Sequence, residues 1–136
     1  MARTLRLEIV TPEAKAFSED VEMVVLPGMD GEIGVYPQHV PVLTTLKPGE
    51  LRVFKSGKET SLAVGEGFAE ITGESISVLT DMALESTAID ESAAEAAVAR
   101  AQAAMKEELG SEEVAAVQAS LQKALAQLHV KRRHRH

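Results

Sequence analysis

Cysteine is absent from the 136 residues, which excludes disulfides, thiolate catalysis and the common zinc–cysteine sites and fits a reducing compartment. Tryptophan is absent as well, and Tyr36, Phe17, Phe54 and Phe68 are the only aromatics, so a base-stacking nucleic-acid platform has little to be built from. No apolar run approaches the roughly 18 residues of a membrane span, and the N-terminus lacks the apolar core of a signal peptide. The expectation is a protein soluble as made, touching a membrane only indirectly. Positive charge is also scarce, with 14 Lys and Arg against 21 Asp and Glu and a net charge of −7.

The distribution of that charge is uneven. Residues 1–87 hold seven bases against fourteen acids, whereas residues 88–136 hold seven of each. From Lys123 onward there are five bases and no acid, so an acidic body ends in a basic tip.

The first part of the chain reads as short strands. Leu5, Leu7 and Ile9 alternate with Arg6 and Glu8, the period of a strand with one buried face. Phe17 falls in a short polar connector, after which Val21, Met23 and Val25 alternate up to a Pro27-Gly28 turn. Further apolar runs follow at Ile33–Val35, Val42–Leu46, Leu51–Phe54, Leu62–Val64, Phe68–Ile71 and Ile76–Leu79. Turn signals separate them at Lys47-Pro48-Gly49, Ser56-Gly57-Lys58, Gly65-Glu66-Gly67 and Thr72-Gly73-Glu74. Strands this short, punctuated this regularly, predict an antiparallel β-sandwich or flattened barrel over residues 1–86.

Residues 87–136 have a different composition. Between Ala88 and Leu128 there are fourteen alanines, no proline and a single glycine, Gly110, which predicts an antiparallel α-helical hairpin. Asp90 is placed to cap the first helix, with Glu91 complementing its dipole. Gly110 falls where a left-handed C-terminal cap belongs, and Ser111 is placed to cap the second helix. Val98, Met105 and Leu109, with Ala94 and Ala101, form one seam; Val114, Val117, Leu121, Leu125 and Leu128 form the other. Alanine offers little apolar area, so the hairpin is expected to dock weakly on the sandwich and to exchange between arrangements.

One stretch is unusually constrained. Asp30-Gly-Glu-Ile-Gly-Val-Tyr-Pro-Gln-His-Val-Pro-Val-Leu43 contains two glycines, two prolines, the only tyrosine and His39, and reads as a stiff, exposed recognition loop. It resembles the signature loop of the epsilon subunit of F-type ATP synthases. The opening Leu5-Arg-Leu-Glu-Ile-Val-Thr-Pro12, then Phe17-Ser18, Leu46-Lys-Pro-Gly49, Gly65-Glu-Gly-Phe-Ala-Glu-Ile71 and Ala124-Leu-Ala-Gln-Leu128 extend the resemblance over the whole chain.

That resemblance implies a non-catalytic central-stalk rotor subunit of a proton- or sodium-driven ATP synthase, with the gamma subunit, the c-ring and the alpha and beta catalytic subunits as partners. It implies c-ring contact at Asp30, Gly31 and Glu32, and gamma contact at Thr11, Tyr36, His39, Pro41, Thr44 and Thr45. It further implies a hairpin that either folds down on the sandwich or extends along gamma to block ATP hydrolysis through its bases. Here those are Arg100, Lys106, Lys123, Lys131, Arg132, Arg133 and Arg135. The implied location is peripheral, on the cytoplasmic face of a bacterial inner membrane or the stromal face of a thylakoid.

Some members of that family bind ATP in the hairpin through Ile or Leu, Asp, two free positions and Arg-Ala. This chain reads Ile89-Asp90-Glu91-Ser92-Ala93-Ala94, so no guanidinium stands at the arginine position to pair with phosphate. Nucleotide binding at Ile89 and Asp90 is therefore not expected, and no cofactor is. The alternative is a stand-alone β-sandwich binding module with a helical partner-binding tail. Catalysis by His39 with Asp30 or Glu32 lacks any accompanying nucleophile, P-loop or metal-ligand spacing. Nothing pre-organises His129, His134 and His136 for a metal, and the acidic body argues against nucleic acid as the partner of the basic tail.

Overall fold

A computed structural model describes residues 3–134, and among them ten strands precede the helices. They are β1 (Leu5–Val10), β2 (Lys15–Val21), β3 (Met23–Gly28), β4 (Gly31–Val35), β5 (Val42–Leu46), β6 (Gly49–Lys55), β7 (Lys58–Val64), β8 (Gly67–Ile71), β9 (Ser75–Thr80) and β10 (Ala83–Glu85). A 3-10 turn at Ser86–Ala88 leads to α1 (Glu91–Ala104) and α2 (Ser111–Arg133).

The strands form one sheet in the order β10-β7-β6-β3-β5-β8-β9-β1-β2, with β4 as a flap on β3. The sheet folds over at the corner between β3 and β5, where only Gly28 and Leu46 pair. Its far edge returns towards β6: the Glu22 N–H donates to the Phe54 carbonyl at 2.9 Å, and Lys55 Nζ lies 3.1 Å from Glu19 Oε1. The result is a nearly closed sandwich. The alternation in β1 reads true, since Leu5, Leu7 and Ile9 are buried with Val24, Leu26, Leu51, Leu62, Ile71, Ile76 and Val78 in a single core.

The structure departs from the strand expectations in three places. The β1/β9 pair is parallel, unlike the antiparallel remainder. The supposed connector around Phe17 is β2, paired along β1, with Phe17 packed against the core. Its polar sequence suits a strand at the end of the sheet order, where one long side has no partner strand. In β3 the core residues are Val24 and Leu26 rather than Met23 and Val25. That strand is apolar on both faces, so period-two alternation cannot choose between them. Pro27 and Gly28 also belong to β3, and the turn comes at Met29-Asp30 with Gly31 at φ +129°, a conformation glycine alone adopts easily.

The helices form the expected hairpin, folded down so that α2 lies on β6 and β7. The Asp90 carboxylate accepts from the Ala93 N–H at 3.0 Å, capping α1 as expected. The other end of α1 differs. It stops at Ala104, before Gly110, which has φ −68° and ψ 162° and is the N-cap of α2, with Ser111 as its first helical residue. Glu107 and Glu108 stand three and four residues on, after Met105 and Lys106, and a longer α1 would carry these acids in its last turn, where they oppose its dipole. Met105 consequently leaves the helix and is exposed.

The seam is also narrower than its leucines suggest. Ala94 and Ala101 are buried on α1, and Ala124 and Leu128 on α2, with Val114, Val117 and Leu121 half-buried. Leu125 is exposed. A second face of α2, Ala126 and Val130, packs with Ala63 and Ile89 and against Met82 and Leu84, forming a small cluster separate from the main core.

Candidate functional site

Two surfaces concentrate the exposed chemistry: an apolar strip on the sandwich and the charged seam under α2.

The strip follows from strand register. Val10 pairs with Leu79, Leu79 with Phe68, and Phe68 with Thr45, so one cross-strand row runs over β1, β9, β8 and β5. Val10, Leu79 and Phe68 are exposed although they lie in a well-formed sheet. Three adjoining depressions share residues along this row. Val10, Thr11 and Leu79 line the first with Glu66 and Asp81; those two acids join Met29, Phe68 and Thr45 in the second; Met29 and Thr45 join Asp30, Gly31, Glu32 and Leu43 in the third. Thr11, Thr45 and the turn at Asp30–Glu32 therefore lie on one continuous surface. Thr44 also lines the third depression, although its place on β5 pairs it with the buried Ala69. Thr11 has a local task as well: its Oγ1 donates to the Ala14 carbonyl at 3.2 Å across the β1–β2 turn.

Tyr36, His39 and Pro41 are not brought to this end. Their loop joins the far ends of β4 and β5 and rests on the β8–β9 turn, where the Gln38 N–H donates to the Gly73 carbonyl at 2.7 Å. Gln38 takes φ +70°, and His39 Nδ1 lies 2.7 Å from the Val40 carbonyl oxygen. Tyr36, Val40 and Leu43 are among the most exposed apolar side chains, at 61%, 72% and 67%. The expected gamma-contact residues thus divide between two ends of the sandwich, linked by the exposed Val42 and Leu43 of β5.

The bases of α2 meet the acids of the sandwich. Arg133 Nε donates to Glu50 Oε2 at 2.9 Å and its NH2 to Glu59 Oε2 at 3.0 Å. His134 Nε2 is 3.0 Å from Glu50 Oε2, and His129 Nε2 is 3.8 Å from Glu50 Oε1. Lys123 Nζ is 3.3 Å from Asp81 Oδ2, and a Cβ at Gly65 would overlap that carboxylate, so glycine there keeps the approach open. Lys131 Nζ donates to the Ser86 carbonyl at 3.0 Å. Arg132 instead pairs within the hairpin, 3.1 Å from Glu91 and 3.7 Å from Glu95.

Burial pushes the Glu50 carboxyl up, but hydrogen bonds from Arg133 and His134, the Arg133 charge and the Ser61 hydroxyl together hold it below the usual carboxylate value. The hydrogen bond to Glu50 raises Arg133 in turn. Arg100 and Lys106 have no ion-pair partner among the described residues; Arg100 lines the groove between the helices and Lys106 the exposed connector. Arg135 and His136 lie outside the described residues.

Ile89 and Asp90 have structural work, the first in the small apolar cluster and the second as a cap. His129 and His134 converge on Glu50, and the described residues contain no group of three or more acidic or imidazole side chains that could hold a metal. Glu50, Glu59 and Asp81 were not singled out by the sequence, where the only signal was an excess of acid in the body and of base at the tip. The apolar row was missed too; Val10 immediately after Ile9, and Leu79 immediately after Val78, break the alternation of β1 and β9 and were its traces.

Residues 4–86 match the family model described as ATP synthase, Delta/Epsilon chain, beta-sandwich domain, and residues 88–132 match the long alpha-helix domain of the same chain. The ATP synthase epsilon chain of Chloroflexus aggregans is 41% identical over 131 residues, covering 96% of this chain and 94% of that one. The epsilon chain of Desulforamulus reducens is 49% identical over 94 residues, or 69% and 71% of the two chains. Among solved structures, a chain in the Euglena gracilis mitochondrial ATP synthase (OSCP/F1/c-ring) superposes with a TM-score of 0.77 at 21% identity, covering 93% of this chain and 79% of that one, a likeness of fold. By sequence over both its parts, the chain belongs to the ATP synthase epsilon-chain family.

Proposed function

We propose that this chain is a non-catalytic central-stalk subunit of an ion-driven ATP synthase. Residues 1–86 bind the gamma subunit and the c-ring, and residues 87–136 restrain ATP hydrolysis by reaching the alpha and beta catalytic subunits. The continuous strip from Val10 and Thr11 through Leu79 and Phe68 to Thr45 and the Asp30–Glu32 turn carries this reading. Exposed aromatic and aliphatic side chains held on a rigid sheet suit a stable interface, because burying them costs little conformational entropy. The acidic turn at one end of the strip suits polar loops, the chemistry of a c-ring surface. Among the described residues no helix is long and apolar enough to cross a membrane, and the proposed place is peripheral, on the face where the catalytic head sits.

Phe68→Glu combined with Leu79→Glu tests this in a binding assay with the matching gamma subunit. Both residues face outward, so the sandwich is expected to fold while affinity falls at least tenfold, as for truncated interface hot spots worth roughly 2 kcal/mol. Unchanged affinity contradicts the assignment of the strip.

A further inference from the structure

Arg52 stands at the centre of a group that reaches the Asp30–Glu32 turn. It lies on β6 opposite Val25 of β3, and Glu32 lies on β4 opposite Pro27, two residues further along β3, so both side chains rise from the outer face of the sheet. Gly34, beside Val25 on β4, adds no side chain to the space they share; a Cβ there would press on Met23 Cε at 3.3 Å. The Arg52 guanidinium reaches over β3, with NH2 3.5 Å from Glu32 Oε2 and NH1 3.8 Å from Glu59 Oε1. Its central carbon is 5.9 Å from the centre of the Phe54 ring, a cation–π contact on the same face. Glu59 is itself held, since Arg133 donates to its other oxygen. The Arg52 side chain is accordingly only 27% exposed, whereas that of Glu32 is 63% exposed.

We propose that Arg52 is a positioning residue for the c-ring contact: it holds the Glu32 carboxylate in one orientation at the rim of the sandwich, ready to accept from a hydrogen-bond donor on a polar c-ring loop. This rests on the reading of the Asp30–Glu32 turn as the place where the c-ring docks. An ion pair with so exposed a partner contributes little to folding, so stability does not account for the arrangement. A free glutamate on a wet surface samples several rotamers and loses that freedom when a partner docks. One that is already held loses less, and the interface gains the difference. Arg52 engages Oε2, which leaves Oε1 for the partner. The guanidinium fork is what the geometry requires, because one planar group spans two carboxylates and lies over an aromatic ring. A lysine ammonium keeps the charge but is a single point and cannot make all three contacts.

Two measurements test it. In the full-length chain alone, the three-bond NMR couplings across χ1 and χ2 of Glu32, assigned by their loss in Glu32→Gln, are expected to report one rotamer in the wild type and averaging in Arg52→Lys. In the chain assembled with its gamma subunit and the catalytic subunits, affinity for the matching c-ring in nanodiscs is expected to fall about tenfold in Glu32→Gln and about fivefold in Arg52→Lys, and the double variant to bind no more weakly than Glu32→Gln. A merely structural role for Arg52 would instead lower the thermal midpoint of the sandwich and multiply its loss with that of Glu32→Gln. Couplings already averaged in the wild type, couplings unchanged in Arg52→Lys, or losses that multiply in the double variant each overturn the positioning. Full affinity in Glu32→Gln contradicts the c-ring reading of the turn, whatever the couplings show, so the two failures are told apart.

Discussion

Arg133 Nε lies 2.9 Å from Glu50 Oε2, joining the last turn of α2 to a residue 83 positions earlier, the second of β6. This contact ties the part of the chain that carries the basic tip to the part that carries the apolar strip. With Lys123 on Asp81, it pairs two bases of the tip with acids of the body while the hairpin is down.

The Glu50 carboxyl gives this contact a pH dependence. Its value is lowered in the docked state, so the stabilisation is present above the ordinary carboxylate value of 4.5 and is lost as pH falls through the lower, docked one. Acid titration of a chain carrying a dye pair at Glu74→Cys on the sandwich and Gln118→Cys on α2, in a protein without other cysteines, should therefore open the hairpin, with Glu50→Gln flattening that part of the profile. Identical acid profiles for the two proteins contradict the role given to Glu50.

Val130 separates docking from folding. It is fully buried, but in the small cluster under α2 and not in the main core. Val130→Ala removes two carbon centres and leaves a void, at a cost of roughly 2 kcal/mol. Amide exchange along α2 should rise more than tenfold while β1 and β9 keep their protection. Equal loss of protection in both places indicates that hairpin and sandwich unfold as one unit.

Which features could be read from the chain depended on the range over which their causes act. Asp90 caps α1, and Ser56-Gly57 turns β6 into β7 with both residues at positive φ, because these effects are local. Leu5, Leu7 and Ile9 showed their face because β1 has one wet side. Phe17 did not declare its strand, since β2 is polar and held only by its partner. Leu125 was assigned to the helical seam and Ala126 to none, yet α2 packs against both α1 and the sandwich, and the small residues mark the second contact. The Arg133–Glu50–Glu59 group joins three segments distant in sequence. Charge totals pointed to its existence, and only the fold supplied its members. The loop from Tyr36 to Pro41 is exposed, as expected, but its separation from Thr11 and Thr45 follows from strand direction, which the motif does not contain.

The most direct measurement is ATP hydrolysis by the matching catalytic head complex, assembled with the full-length chain or with one ending at Glu85, each checked for binding. Faster hydrolysis with the shorter chain, still bound, is the expected result, since it removes both helices and every base from Arg100 onward. Equal hydrolysis with both forms bound contradicts restraint by the hairpin and leaves the sandwich as a connector alone.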